Sequence, residues 1–264
     1  VAEEVLRTAG FDRLPARALR GSVPAHEARP LHELRDRLRD AFAGAGLREV
    51  ITYSLTTDEV QAAVIPSAVL EERPSLALMN TLSADSAVLR QSLRHSILET
   101  VARNVRAGAE RIAIFEAGRA YVPPTEEAAS PLPDEREQVT GALSGVEVDR
   151  WGTSTGRRLD FFDAKGAIDA ALDAVGVRLE YAAHEEFGLL PGRTAELRLG
   201  GERVGVLGEV HPHTLEAFDV DRPVLLFELD LGLLLPHVPA RQLAVSTPRF
   251  PAVEQAMALV VDEA

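Results

Sequence analysis

The chain has 264 residues, of which 46% are hydrophobic and 5% aromatic, and it contains no cysteine. This composition predicts a large core of aliphatic side chains, fits a cytoplasmic protein, and excludes disulfides, thiolate metal sites and cysteine nucleophiles. The net charge of −13 repels polyanions on average, and no apolar run approaches the ~20 residues needed to cross a bilayer.

The first third of the chain predicts two helices and a strand. Residues 1–9 indicate a helix that Gly10 ends, without a capping residue before it, and residues 16–29 indicate a linker. Pro30 suits the first position of a second helix. The apolar residues that recur there at helical spacing are Leu31, Leu34, Leu38, Phe42 and Ala45. Residues 50–55 then predict a strand, and Thr57 caps a short helix that begins at Asp58.

The rest of the chain alternates helices with strands and one clear hairpin. The predicted helices span residues 91–107 and 161–175. The predicted strands span residues 111–121 (one strand, or a pair broken at Gly118), 139–143, 223–231 and 256–261. Residues 123–137 are rich in proline and acidic residues, which predicts a surface loop. Residues 197–210 predict a hairpin that turns at Gly200-Gly201. This order favours an α+β fold with a largely antiparallel sheet.

Few residue clusters point to chemistry. His211 and His213 flank Pro212 without a third ligand candidate nearby, which favours a simple loop over a zinc site. Asp160 and Asp163 stand at a predicted helix start, where carboxylates satisfy free amides. No phosphate-binding glycine loop with its lysine occurs, since Lys165 is the single lysine.

Several stretches, taken in order, resemble the bacterial phenylalanyl-tRNA synthetase β subunit. Among them are GLREVITYSL at 46–55, VLRQSL at 88–93, FEAGR at 115–119 and PGRTA at 191–195. The full set comprises residues 3–12, 46–55, 80–93, 115–119, 163–166, 191–195 and 205–212. Three places depart from the family pattern: Thr81, Leu190 and the pair Gln255-Ala256.

The resemblance implies a class II aminoacyl-tRNA synthetase-like fold, an antiparallel sheet flanked by helices. It implies three regions: 1–20 as the remnant of a preceding domain, 21–245 as the synthetase-like core, and 246–264 as the start of an anticodon-binding domain. Both ends of the chain are therefore expected to belong to neighbouring domains. In this family the α subunit makes the phenylalanyl-adenylate from ATP, and the β core is a degenerate copy without catalytic residues.

The resemblance also implies partners and cofactors. The partner is the catalytic α subunit in an α2β2 assembly, and the complete enzyme binds tRNA, ATP and Mg²⁺. Glu3 and Glu4 match two glutamates that contribute to a magnesium site in the full subunit. As neighbours on one helix they diverge by ~100°, so no cofactor is expected on this chain alone.

The sequence is also compatible with two other functions, an active class II ligase and a free-standing interaction module. A ligase needs cationic donors for the α-phosphate, whereas the two expected arginine positions lie in Tyr121-Val122-Pro123-Pro124 and beside Glu228 as Leu229. We therefore predict no ATP–pyrophosphate exchange by this chain alone. The predicted α-subunit surface is the helix of 30–45 with the strand of 47–55, assisted by Leu93 and Ile97. The alternative is that this helix only covers its own sheet.

Overall fold

A computed structural model describes residues 1–18, 20–22, 29–81, 83, 86–124, 132–149, 153–239, 250, 253, 255–258 and 260. In this part of the chain the helices are α1 (Ala2–Ala9), α2 (Pro30–Gly44), α3 (Asp58–Ala62), α4 (Ser67–Glu72), α5 (Arg94–Arg106), α6 (Phe161–Asp173), α7 (Pro212–Glu216) and α8 (Leu231–Leu234). The strands are β1 (Arg48–Glu49), β2 (Leu55–Thr56), β3 (Val88–Leu89), β4 (Arg111–Val122), β5 (Asp134–Val148), β6 (Ser154–Arg158), β7 (Glu180–Ala183), β8 (Leu189–Leu199), β9 (Glu202–Val210) and β10 (Val224–Asp230).

One large sheet organises the chain. Its strand order is β1-β4-β5-β10-β9-β8-β7, with β6 paired to β5, and β2 with β3 form a separate ribbon. Every pairing in the large sheet is antiparallel except the short parallel contact of β1 with β4. The predicted fold class, an α+β antiparallel sheet flanked by helices, is confirmed.

The first face of the sheet carries an apolar core beneath α2 and α6. Leu34, Leu38 and Phe42 project from α2 and are at most 2% exposed. The Phe42 ring stacks on Phe227 at 5.3 Å between centroids and contacts Phe115 at 5.4 Å, the spacing of favourable aromatic pairs. The apolar stripe of α2 therefore covers its own sheet, and the prediction that it faces a partner subunit is wrong.

The second face is covered by α5 and the short helices. Leu93, Ile97 and Val101 are fully buried there, and Ile97 and Val101 pack in one cluster with Ile114 and Leu226 of the sheet. Leu93 and Ile97 are thus core residues and not part of an interface. Because both faces are buried, β4 and β10 carry apolar residues at consecutive positions, 112–115 and 224–227.

Local sequence signals predicted several elements correctly. The hairpin β8–β9 turns at Gly200 and Gly201, whose φ angles of 60° and 84° suit glycine because it has no Cβ. Thr57 caps α3 by accepting a hydrogen bond from the Val60 amide. The predicted helices at 30–45 and 161–175 match α2 and α6 within two residues at their ends, and the one at 91–107 begins three residues late as α5.

The predicted strand over residues 50–55 is wrong. Only Arg48–Glu49 joins the sheet, and Leu55–Thr56 belongs to the ribbon with β3. The segment between them is held to the sheet by the Thr52 side chain, whose hydroxyl donates to Glu116 at 2.6 Å. A side-chain anchor has replaced a strand ladder here, which β-propensity does not register.

The predicted loop over residues 123–137 is also wrong in its second half. β5 begins at Asp134, so acidic residues lie within a strand; 125–131 fall outside the described residues. Arg119 on the neighbouring strand holds them, with ion pairs to Glu135 and Glu137 at 2.8 Å each. Gly118 does not break β4 and lies opposite Gln138 in a continuous ladder.

The remaining differences concern elements without a strong local pattern. β5 extends on both sides of the predicted 139–143, and β6, β7, α4, α7 and α8 were not predicted. Of the predicted linker, residue 19 and residues 23–28 fall outside the described part. In the predicted strand 256–261, the described residues Ala256 to Ala258 and Val260 lie outside any strand.

Candidate functional site

Polar side chains form a row across three central strands on the second face of the sheet. Glu116 and Glu228 each lie directly opposite Thr140 in the strand register, and directly opposed residues share one face. Glu116 is 3% exposed and Thr140 is fully buried. Buried carboxylates on a sheet need partners, because an isolated buried charge is very costly. We call Glu116, Thr140 and Glu228 the polar row.

Arg90 neutralises the first end of the polar row. Its Nη2 donates to Glu116 Oε1 at 2.8 Å, and its Nε donates to the Arg119 carbonyl at 2.8 Å. Its Nη1 donates to the Thr52 hydroxyl at 2.8 Å, which in turn donates to Glu116 Oε2. Arg90 itself is 2% exposed. The guanidinium is thus enclosed by acceptors, and removal of either charged partner would leave a buried charge without compensation.

Arg94, in the first turn of α5, neutralises the other end. Its Nη2 lies 3.2 Å from Glu228 Oε1 and its Nη1 lies 3.0 Å from Glu186 Oε1. Glu186 also accepts from Arg203 Nη2 at 2.7 Å. Burial by itself would raise the pKa of Glu186, but Arg94 and Arg203 outweigh it and the pKa is lowered. Glu186 is therefore held ionised, as a counter-ion to Arg94.

Arg90 and Arg94, which lie against the polar row, are both paired with carboxylates of the same chain. Activation of an amino acid by ATP requires cationic donors free to meet the phosphates as negative charge develops. Arg119 does not supply such a donor, because it lies on the opposite face with Glu135 and Glu137. Glu228 is occupied by Arg94, and its neighbour Leu229 is fully buried. The described residues of this face do not fit an ATP phosphate site.

His95 adds a buried neutral ring beside this network. It is 1% exposed, and its Nε2 lies 3.1 Å from the Ser96 hydroxyl. Burial, reinforced by the positive charge of Arg90, lowers the pKa of His95 to about 4. The ring is therefore uncharged at neutral pH and adds no charge to the row.

Sequence reasoning missed this network, although the signal was present. Thr52, Arg90 and Glu116 lie in three separate stretches that carry the family resemblance, 46–55, 88–93 and 115–119. The structure brings those three stretches together at one ion pair. Their meeting explains why these short patterns occur in the same chain, which no single stretch could indicate.

Glu3 and Glu4 do not form a metal site within the described residues. Both are exposed on α1, a helix without buried residues, and Glu4 accepts from Arg7 at 3.1 Å. No group of three or more carboxylate, histidine or cysteine side chains that could hold a metal occurs in the part of the chain the structure describes. Two divergent carboxylates do not by themselves give the near-octahedral arrangement that Mg²⁺ requires.

The other sequence candidates have structural roles. Asp160 accepts from the amides of Phe162 and Asp163, while Asp163 accepts from the Asp160 amide at 2.7 Å. The two carboxylates thus form a capping box at the start of α6. His211 caps α7, where its Nδ1 accepts from the His213 amide at 3.2 Å. Both findings agree with the structural interpretation of these residues and not with catalysis.

One exposed apolar pair lies next to the polar row. Ile51 and Tyr53 are each 88% exposed. Val50, which precedes them, and Thr52, which lies between them, are half-buried. Both exposed residues belong to the segment that Thr52 anchors to the sheet. Two large apolar side chains are thus exposed together on one anchored segment. We call Ile51 and Tyr53 the apolar pair.

Comparison with known proteins places these features in a family. The family model for the phenylalanyl tRNA synthetase beta chain CLM domain matches residues 14–231. The chain is similar to phenylalanine–tRNA ligase beta subunits of Dehalococcoides mccartyi (34% identity over 98% of this chain) and Streptococcus pneumoniae serotype 4 (36% over 98%). It spans 31% and 32% of the length of these two relatives.

The fold is shared with solved class II synthetases. A pyrrolysyl-tRNA synthetase from Desulfitobacterium hafniense superposes with a TM-score of 0.59 at 20% identity, over 89% of this chain and 71% of that one. At this identity the likeness concerns the fold alone. Among the described residues, no helix has the length and apolar character needed to span a membrane.

Proposed function

This chain belongs to the phenylalanyl-tRNA synthetase β chain family, and we propose that it is the degenerate synthetase-like core through which a β subunit pairs with the catalytic α subunit. The complete enzyme would attach phenylalanine to its tRNA at the expense of ATP. The observation that carries the proposal is the contrast between a neutralised polar row and an exposed apolar pair beside it.

The neutralised row supports a role without catalysis. Arg90 and Arg94, which bring positive charge over the sheet, are held by Glu116, Glu228 and Glu186 at 2.8–3.2 Å. Freeing either arginine for a phosphate would leave a carboxylate buried and unpaired, which costs several kcal/mol, roughly 3–5 for a pair that loses one member. Arg90 and Arg94 are therefore not available to bind the phosphates of ATP.

The exposed pair supports a contact with another chain. Ile51 and Tyr53 would leave water on binding, and fully burying an aliphatic or aromatic side chain contributes roughly 1.5–3 kcal/mol. Tyrosine is also enriched at protein interfaces, where its ring packs and its hydroxyl stays hydrogen-bonded. The family name identifies one chain of an enzyme with more than one kind of chain, and the α subunit is the partner it implies.

The finer assignments complete the proposal. The assembly is α2β2, it works in the cytoplasm, and tRNA, ATP and Mg²⁺ bind in the complete enzyme. Residues 21–245 form the core, 1–20 belong to the preceding domain and 246–264 begin the anticodon-binding domain. Glu3 and Glu4 join a magnesium site with carboxylates from outside this chain.

Co-purification with the α subunit tests the proposal directly. The full-length gene product, co-expressed with the α subunit of the same organism, should co-elute with it in size-exclusion chromatography. Ile51→Ser with Tyr53→Ser should abolish co-elution while circular dichroism stays unchanged. The matched control is Phe162→Ser, which removes a phenylalanine that is 74% exposed elsewhere. Normal assembly of the Ile51→Ser, Tyr53→Ser variant would refute the assignment of this surface.

A further inference from the structure

The segment that carries the apolar pair has little backbone support. The Val50 amide donates to the Phe115 carbonyl at 2.8 Å, and the Arg90 amide donates to the Ser54 carbonyl at 2.9 Å. Between these two anchors, no backbone hydrogen bond to Ile51, Thr52 or Tyr53 is found among the described residues. A segment held by its ends alone would sample many conformations, and ordering it costs backbone entropy.

The Thr52 hydroxyl supplies the missing constraint. It accepts from Arg90 Nη1 at 2.8 Å and donates to Glu116 Oε2 at 2.6 Å, so its proton and a lone pair are both used. Hydrogen bonds to charged groups are shorter and roughly twice as strong as neutral ones. Arg90 and Glu116 are themselves buried and fixed by their mutual contact at 2.8 Å. Thr52 is therefore tied to a buried ion pair.

The position of Thr52 in the segment determines what this constraint does. Its side chain is directed inward to the ion pair, and the residues on either side, Ile51 and Tyr53, are each 88% exposed. Fixing the middle residue fixes the direction of both neighbours. Without the hydroxyl, the apolar pair could turn toward the nearby core to escape water.

We propose that Thr52 is a positioning residue, clamped between Arg90 and Glu116 so that Ile51 and Tyr53 are held in the orientation that the α subunit contacts. This inference rests on the proposed function. It also gives the buried ion pair a role, since Arg90 and Glu116 act on the interface through Thr52 without touching the partner.

The energetic consequence is pre-organisation. A surface that is already ordered loses less entropy on binding, because its side chains need no further immobilisation. Removal of the clamp should therefore raise the dissociation constant about tenfold, which corresponds to about 1.4 kcal/mol. The effect should reside mainly in affinity and in the local dynamics of residues 50–54, with little change in global secondary structure.

Three substitutions in the full-length gene product separate positioning from general stability. Thr52→Val keeps the side-chain shape and removes the hydroxyl, and Thr52→Ser keeps the hydroxyl. Thr194→Val is the matched control, because Thr194 is buried and its hydroxyl donates to the Leu190 carbonyl at 3.0 Å on β8. Thr52→Ala replaces Thr52→Val if the valine variant does not fold, and carries the same expectation.

Two readouts are needed, hydrogen exchange at the Val50 and Arg90 amides, whose bonds anchor the two ends of the segment, and the dissociation constant for the α subunit. Thr52→Val should exchange faster at these two amides and bind about tenfold more weakly, whereas Thr52→Ser and Thr194→Val should resemble the unmodified protein in both. Unchanged exchange in Thr52→Val overturns the inference. The inference is also overturned if Thr52→Val binds the α subunit with wild-type affinity while Ile51→Ser with Tyr53→Ser abolishes binding. In that case the proposed function survives. If that double variant binds normally, the apolar pair is not the contact surface and the inference falls with it. Failure of the unmodified protein to co-elute with the α subunit would refute the proposed function itself.

Discussion

The two faces of the central sheet achieve burial by different means. Beneath α2 the face is apolar, and the Phe42 ring lies 5.4 Å from that of Phe115 and 5.3 Å from that of Phe227, between centroids. Beneath the start of α5 the face carries charged groups, which Arg90 and Arg94 neutralise through contacts of 2.8–3.2 Å. The same strands supply both faces, since side chains alternate along them.

The difference shows that one sheet can bury an apolar face and a charged face at the same time. The apolar face needs only shape and volume, and it stabilises the chain whether or not a site exists opposite. The polar face keeps carboxylates and arginines, but it directs them at each other. We infer that its ion pairs serve geometry, because buried pairs give little net stability against apolar residues of similar volume.

The largest effect should come from the apolar face. Phe42→Ala removes a fully buried ring that contacts Phe115 and Phe227, so the free energy of unfolding should fall by about 3–5 kcal/mol. Urea denaturation followed by circular dichroism measures it. Phe162→Ala, at an exposed position, should change it by less than about 0.5 kcal/mol. A loss below about 1 kcal/mol for Phe42→Ala would mean that this face is not the principal core.

Removing one partner of the buried Arg90–Glu116 ion pair should lower the free energy of unfolding nearly as much as Phe42→Ala does. Arg90→Met leaves Glu116 buried without its counter-ion and should destabilise the chain by roughly 3 kcal/mol. Arg90→Met with Glu116→Leu removes both charges and should recover most of that loss. Denaturation of the single and double variants gives the coupling free energy. A double variant as unstable as the sum of the two singles would show that the pair is not coupled.

Lowering the pH should reduce the stability of the folded chain through His95. Its pKa is lowered from 6.5 to about 4 in the folded chain, so between these values the unfolded chain binds a proton that the folded chain does not. The contribution of His95 to the free energy of unfolding is therefore fully present above pH 6.5. It falls as the pH decreases and is about 2 kcal/mol smaller at pH 5.

The measurement is the pH dependence of urea unfolding for the unmodified chain and His95→Gln. The difference between the two profiles isolates His95 from the many carboxylates, and the variant should lose less stability between pH 7.5 and pH 5. His213→Gln, at an exposed histidine, is the control and should follow the unmodified profile. Parallel profiles for His95→Gln and the unmodified chain would show that His95 is not buried as described.

The smallest effect should come from crowding the ion pair. A Cβ at Gly118 would lie 2.6 Å from Arg90 Nη2 and 2.9 Å from Glu116 Oε1, so Gly118→Ala must displace the pair and should cost about 1–2 kcal/mol. Gly166→Ala, where a Cβ meets nothing within 4 Å, should instead stabilise α6 by about 0.5–1 kcal/mol. Equal thermal stability of Gly118→Ala and the unmodified chain would show that the pair has room to move.

Local patterns predicted much of the fold. The helices α2 and α6 and the β8–β9 hairpin follow from apolar spacing, a capping residue and two glycines that lie close together in the sequence. Residues 50–55 and 134–137 were misassigned for the opposite reason. Their conformation depends on partners far along the chain: the Thr52 hydroxyl is bonded to groups 38 and 64 residues away.

The candidate site was predicted less well than the fold. Family resemblance indicated that the expected catalytic arginines are replaced, but it gave no role to Arg90, Glu116 or Thr52. Their charges are informative only once the strand register places them on one face. The prediction that the apolar stripe of the helix at 30–45 faces the α subunit was wrong for a related reason. An apolar stripe on a helix does not indicate whether its own sheet or another chain covers it.

The measurement that tests the central claim most directly is phenylalanine-dependent ATP–pyrophosphate exchange, made on the purified chain and on its mixture with the α subunit. If Arg90 and Arg94 are committed to internal carboxylates, the chain alone should show no exchange above background, and activity should appear only with the α subunit. Clear exchange by the chain alone would contradict the account, because it would require cationic donors that this face does not leave free.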